Sequence, residues 1–215
     1  MGNKGIVSLS YFFREDTPLY GGAEGNIIFT QTNSISKGQN SNNLHISFPN
    51  HAGTHIDFPY HFDNEGKKSH EYDAAFWVFN KVGFINCGTD KIEEAIPELS
   101  GDIEMLILKT GFGSKRSDPE YWSSQPVILA KLASIFRKRF PKLRVFGFDL
   151  ISLTSKLNRE EGKAAHLAFL KENGILIIED MNLQEVSSAP SSVIVSPFQI
   201  YAADGAPCNI TAFYK

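Results

Sequence analysis

The stretch "FPNHAGTHIDFPYHF", residues 48–62, sets His51, His55, Asp57 and His61 in one short window. The chain has six histidines, so half of them stand here. Pro49, Pro59 and Gly53, with β-branched Thr54 and Ile56, disfavour a helix. Extended chain is the alternative, and in a strand alternate side chains share a face. The odd positions are then His51, Gly53, His55, Asp57, Pro59 and His61; the even ones are Ala52, Thr54, Ile56, Phe58, Tyr60 and Phe62. All four donors fall on one side. A straight strand rises about 3.3 Å per residue, which separates residues four apart by roughly 13 Å. A metal ion holds its nitrogen and oxygen ligands at only about 2.0–2.2 Å. His55 and Asp57 can meet one ion from an extended segment, whereas His51 joins only if the chain bends, as Gly53 permits. A lone histidine beside a core strand is ordinary. Three on one face around an aspartate point to a metal site on a bent strand or loop.

Outward from this segment, short β-type runs alternate with turns and helices. "GIVSLS" (5–10), "NIIFTQT" (26–32), "LHISFPN" (44–50) and "KVGFINC" (81–87) read as strands. "MLILKT" (105–110), "LRVFGFD" (143–149) and "GILIIED" (174–180) are nearly continuous in apolar character, as expected of central strands covered on both faces. "PVILAKLASIFRKRF" (126–140) reads as a helix with proline in its first turn and basic residues at its end. "NREEGKAAHLAFLKENG" (158–174) reads as another, with Asn158 and Glu161 forming a capping box and Gly174 the C-terminal cap. The last stretch reads as strands broken by a turn at Asp204-Gly205. The expectation is one domain over residues 1–215 of α/β or α+β class, of unspecified topology.

Composition narrows the function classes. The 215 residues carry a formal charge of −3, with 42% hydrophobic and 12% aromatic content. That suits a globular core and supplies no basic field for nucleic acid or a membrane surface. Cys87 and Cys208 do not make a disulfide framework. With no apolar leader in "MGNKGIVSLSYFF" and no spanning segment, the expectation is a soluble, reduced, cytoplasmic protein. No G-x-S-x-G elbow, P-loop or dinucleotide fingerprint is present, so neither a serine hydrolase nor a nucleotide cofactor is expected.

The run "HAGTHIDFPYHF" resembles the H-x-G-T-H-x-D-x-P-x-H signature of the metal-dependent cyclase family, which includes kynurenine formamidases and isatin hydrolases. "SLSYFFREDTPLYGG", "FGFDLISL", "AAHLAFLKENGILIIEDMNL" and "DGAPCNITAF" extend the resemblance over most of the chain. It implies an α/β fold with a mixed sheet of the swivelling β/β/α type, assembled as homodimers or homotetramers. It also implies His51, His55 and Asp57 as metal ligands, with Asp57 bridging to a second ion completed by His166 and Glu179. His61 is then the acid/base group. On their own, His166 reads as an ordinary helix histidine, and Glu179 as a carboxylate costly to bury unless paired or bound to a cation. Many relatives carry an arginine after the Asp-Gly-x-Pro turn, where this chain has Cys208-Asn209.

Imidazole and carboxylate donors without thiolate suit zinc, with manganese the alternative, as one or two ions. Zinc lowers the pKa of its bound water to about 7. Imidazole is the side-chain type that exchanges protons near neutrality, which suits the role of His61. The expected function is a metal-dependent amidohydrolase, resembling arylformamidases, that opens a formamide, amide or lactam through a metal-bound hydroxide. A non-hydrolytic cyclase or dehydratase, and a catalytically silent metal-binding oligomer, are the alternatives.

Overall fold

The computed structural model describes residues 5–22 and 25–215. Its main sheet has nine strands. In chain order they are β1 (Ile6–Ser8), β4 (His55–Asp57), β5 (Val78–Phe79), β6 (Val82–Asn86), β7 (Met105–Lys109), β8 (Val145–Phe148), β9 (Leu176–Glu179), β10 (Ser192–Pro197) and β11 (Gly205–Phe213). Two further strands, β2 (Ile28–Asn33) and β3 (Asn43–Ser47), form a separate antiparallel ribbon. The spatial order is β5-β10-β11-β4-β9-β8-β7-β6, with β1 paired to the end of β11. Strands β6 to β9 are parallel, and every pairing from β9 to β4, β11, β10 and β5 is antiparallel. This is the mixed α/β arrangement that the resemblance implies.

The two ends of the strand order, β5 and β6, are joined through Asn80 and Lys81 alone. The sheet must therefore curl back on itself. Alternate side chains of the apolar strands serve two cores, as the two-residue period requires. Leu106, Leu108, Phe146, Phe148 and Ile177 pack with Leu132, Phe136 and Phe169 of the helices. Met105, Ile107, Val145, Leu176 and Ile178 pack instead with Val193, Val195 and Ile210 of the antiparallel half. Coverage on both faces explains the unbroken apolar runs.

Among the described residues four α-helices accompany the sheet: α1 (Ile92–Ala95), α2 (Glu120–Ser123), α3 (Lys131–Arg139) and α4 (Arg159–His166). Helix α3 begins five residues later than Pro126, so the proline lies outside it. The backbone N–H of Ala130, at the start of α3, donates to Glu161 Oε1 at 2.7 Å. Only half of the expected capping box forms: Asn158 accepts from the Glu161 backbone at 3.1 Å, while the Glu161 carboxylate caps the neighbouring helix instead. Beyond His166 the helix continues as a π-helical segment, Leu167–Glu172, and Gly174 takes the left-handed conformation expected of a terminator. No helix among the described residues is long and apolar enough to cross a membrane.

Candidate metal centre

Only His55–Asp57 of the opening segment is strand. Gly53 has φ +64°, and Pro59–His61 forms a single 3₁₀ turn. The expected alternation therefore holds for His55 and Asp57 and fails at both ends, where the bend and the turn carry His51 and His61 back towards them. Strand β4 lies between β11 and β9, with His55 opposite Glu179 and Asp57 opposite Gly205. The sheet register itself sets a histidine against a carboxylate. His166, the last residue of α4, completes the group because Gly162 lets the helix press onto the 152–155 loop. A β-carbon on Gly162 would lie 2.6 Å from Thr154 Cα.

The buried part of the centre is Asp57, Glu179, His55 and His166. His55 Nδ1–H donates to the Gly53 carbonyl at 2.8 Å, and His166 Nδ1–H to the Gly162 carbonyl at 2.8 Å. A carbonyl can only accept, so each ring is held with its Nε2 turned inwards. His55 Nε2 lies 3.5 Å from Asp57 Oδ1 and 3.3 Å from Glu179 Oε2. His166 Nε2 lies 3.5 Å from Asp57 Oδ2 and 3.6 Å from Glu179 Oε1. Glu179 Oε1 also accepts the Leu153 backbone N–H at 2.5 Å and the Ser152 hydroxyl at 3.2 Å, which anchors that carboxylate. Nitrogen lone pairs facing carboxylate oxygens repel unless a proton or a metal cation stands between them. The donor set thus fits a divalent ion, and the backbone-anchored Nδ1–H is the usual support of a metal-ligating histidine.

His51 and His61 form the more open side. His51 reaches Asp57 Oδ1 through Nδ1 at 2.8 Å and Asp204 Oδ2 through Nε2 at 2.9 Å. His61 Nδ1 meets the same Asp204 Oδ2 at 2.9 Å, and the two rings lie 4.1 Å apart. The Phe62 ring stacks on His166 at 4.3 Å, covering that imidazole from the side. Among the described residues three triplets have potential ligand atoms within 4.8 Å of one another: His51, His55 and Asp57; Asp57, His61 and His166; and His51, His61 and Asp204. Asp57 is common to the first two, as a bridging carboxylate between two ions would be. Glu179 belongs to none of the triplets and joins through its contacts with His55 and His166.

The electrostatics of the metal-free centre follow from these contacts. Burial opposes charge on His51, but its hydrogen bonds to Asp204 and Asp57 outweigh that and push it up to about 10. Burial likewise opposes charge on His166, and Asp57 with Glu179 raise it to about 10. His55 is raised against its burial, chiefly by Glu179. Burial alone would raise Asp57, yet His166 and His51 hold it well below the usual carboxylate range. Hydrogen bonds from His51 and His61 hold Asp204 well below that range too. Without a metal, protons supply the positive charge that the carboxylates demand.

The structure brings together every residue named from the sequence: His51, His55, Asp57, His61, His166 and Glu179. Sequence reasoning noticed Asp204 only as part of a turn, and Arg116 and Asp180 not at all. Asp180, directly after Glu179, is buried with φ +53°. It accepts from Arg116 Nε at 2.8 Å and Nη2 at 2.7 Å, and from the Tyr121 hydroxyl at 2.7 Å. Its carbonyl accepts the Thr54 hydroxyl at 2.6 Å, and Thr54 Oγ1 accepts the Tyr11 N–H at 3.1 Å. The threonine of the motif thus ties the start of β4 to the end of β9.

Residues 7–154 match the family model described as "Putative cyclase". The chain is 32% identical over 162 residues to the kynurenine formamidase of Bacillus thuringiensis (strain Al Hakam), covering 73% of each protein. It is 31% identical over 163 residues to that of Bacillus cytotoxicus, again over 73% of each. Among solved structures, an isatin hydrolase bound to the product analogue thioisatinate superposes with a TM-score of 0.80 at 15% identity, covering 98% of this chain and 92% of that one. A predicted metal-dependent hydrolase from Bacillus stearothermophilus gives a TM-score of 0.72 at 17% identity, covering 98% of both. These two share the fold.

Proposed function

The chain belongs to the putative cyclase family, and from that premise we propose a metal-dependent hydrolase that opens a carbon–nitrogen bond in a formamide, amide or lactam. The observation that supports it most is the pair of buried carboxylates, Asp57 and Glu179, faced by imidazole nitrogens whose partners are fixed by backbone carbonyls. His51, His55 and Asp57 would hold one ion, and Asp57 with His166 and Glu179 would hold a second. Zinc is the proposed metal and manganese the alternative, since every donor is nitrogen or oxygen. When bound, such an ion supplies Lewis acidity, polarising a carbonyl and acidifying water.

The remaining work falls to the chain itself. The Gly53 and Gly162 carbonyls keep the rings of His55 and His166 in one orientation, so the ligands need not reorganise. Phe62, stacked on His166, keeps solvent from that side. His61 stands on the open side of the centre, where it takes a proton from the attacking water and returns it to the leaving nitrogen. The proposed assembly is a homodimer or homotetramer. Free Cys87 and Cys208 suit the proposed cytoplasmic location.

The test is metal content per chain after purification without chelator, paired with hydrolysis of N-formylkynurenine and isatin before and after stripping. One or two equivalents with metal-dependent turnover supports the proposal. Ring closure by a metal-loaded protein without net consumption of water would refute hydrolysis and favour a cyclase. A fully folded protein that takes up neither zinc nor manganese would refute the metal centre.

A further inference from the structure

We propose that Asp204 is a positioning residue for this reaction, whose single Oδ2 atom sets the tautomer and orientation of His61 and His51 together. This rests on the hydrolase reading above. An ionised carboxylate only accepts hydrogen bonds. Oδ2 receives His61 Nδ1 and His51 Nε2, each at 2.9 Å. His61 therefore keeps its proton on Nδ1 and leaves the Nε2 lone pair free for substrate-side proton transfer. With Nε2–H held on Asp204, His51 directs Nδ1 towards Asp57, where a proton bridges the two groups and an ion would take that proton's place. The acid/base group and a metal ligand, at opposite ends of the 51–61 segment, are thus oriented by one oxygen.

The surrounding chain holds this oxygen in place. Asn50 Nδ2 donates to Asp204 Oδ1 at 2.7 Å and to the Gly205 carbonyl at 3.1 Å. The Asp204 carbonyl accepts the Phe58 N–H at 2.9 Å, so the turn is bonded to the segment that carries His61. Ser69 clasps the other side: its N–H donates to the Ala203 carbonyl at 3.0 Å and its hydroxyl accepts the Ala203 N–H at 3.0 Å. Ala202 sits at φ +58°, a conformation that a non-glycine residue keeps only where its surroundings impose it. Among the described residues Asp204 pairs with His51 and His61, whereas His55 and His166 centre on Asp57 and Glu179. Asp204 thus meets the buried carboxylates only through His51, which also reaches Asp57 Oδ1 at 2.8 Å, and this favours an orienting carboxylate over a ligand.

The test uses Asp204→Asn and Asp204→Glu in the zinc-loaded full chain. At saturating zinc, Asp204→Asn should retain the zinc stoichiometry of the parent and keep KM within about twofold. Its kcat should fall about 10–100-fold, the usual cost of losing such a partner. Asp204→Glu, which restores a carboxylate, should recover part of that loss. Long-range 1H–15N correlation spectra should show His61 with Nε2 unprotonated in the parent and with a mixed or reversed tautomer in Asp204→Asn. Loss of a zinc equivalent at saturation would make Asp204 a ligand and overturn the proposal. Unchanged kcat, or a raised KM alone, would overturn it as well. The spectra decide it even if the parent hydrolyses no carbon–nitrogen bond, so its failure is separable from failure of the hydrolase reading.

Discussion

Gly205 lies against the ring of His51 so closely that a β-carbon built on it would sit 2.3 Å from Cε1 and 2.7 Å from Nδ1. Strand β11 is bonded to β4 on one side and to β10 on the other, so neither backbone can retreat cheaply. Gly205→Ala should therefore displace His51 and leave the strands paired. Zinc titration should show affinity about 10–100-fold weaker, by analogy with loss of a ligand's support. An unaltered zinc isotherm would show that His51 does not hold metal.

His55 and His61 should separate cleanly. His55→Ala removes a buried donor that faces both carboxylates, and the variant should purify with less metal than the parent. His61→Ala should keep its metal and lose about 10²–10⁴ in kcat, the usual contribution of a general acid/base. Metal analysis alongside steady-state kinetics checks both. Equal metal loss in the two variants would refute the division of roles.

Arg116 and Asp180 form a bidentate pair behind Glu179, with Asp180 almost fully buried. Burial pushes the Asp180 carboxyl up, and Arg116 works against that rise. Removing the guanidinium leaves a carboxylate without its cation at a residue already held at positive φ. Arg116→Ala should cost about 3–5 kcal/mol, the range for breaking a buried pair from one side. Urea unfolding of the metal-free protein measures it, and a loss below about 1 kcal/mol, the scale of an exposed pair, would contradict the assignment.

In the metal-free protein His51 and His166 both titrate near 10, above their ordinary 6.5. The unfolded chain loses these protons near 6.5, so the stabilisation is complete below that pH and is lost as pH rises towards 10. Urea midpoints of stripped protein should therefore fall across this window. A zinc ion held by these imidazoles would replace the same protons, so its apparent affinity should rise with pH and binding should release protons. Calorimetry in buffers of different ionisation enthalpy counts them; zero release would mean that the imidazoles were neutral beforehand.

The sequence made His55 and Asp57 legible because two-residue alternation holds where the chain is a strand. The same argument placed His51 and His61 on the correct side for an incomplete reason, since Gly53 and the Pro59–His61 turn bring them there. Helix α3 was expected to start at Pro126, where propensity allowed it; the observed start is capped by Glu161, a long-range partner that no local pattern encodes. His166 and Glu179 gained meaning only through the motif, since a helix histidine and a strand carboxylate are unremarkable alone. Asp204 stands 153 residues from His51 and Asp180 stands 126 from Thr54, beyond the reach of any periodicity.

Strand β4 has its neighbours, β9 and β11, far downstream in the chain. During synthesis the motif emerges with both of its edges bare, and it stays so until those strands have left the ribosome. Such distant pairing closes large loops and is slow. The centre can therefore be complete only once β9 and β11 have been made. The peptide that bears the recognisable signature is thus made before either of the strands that it pairs with.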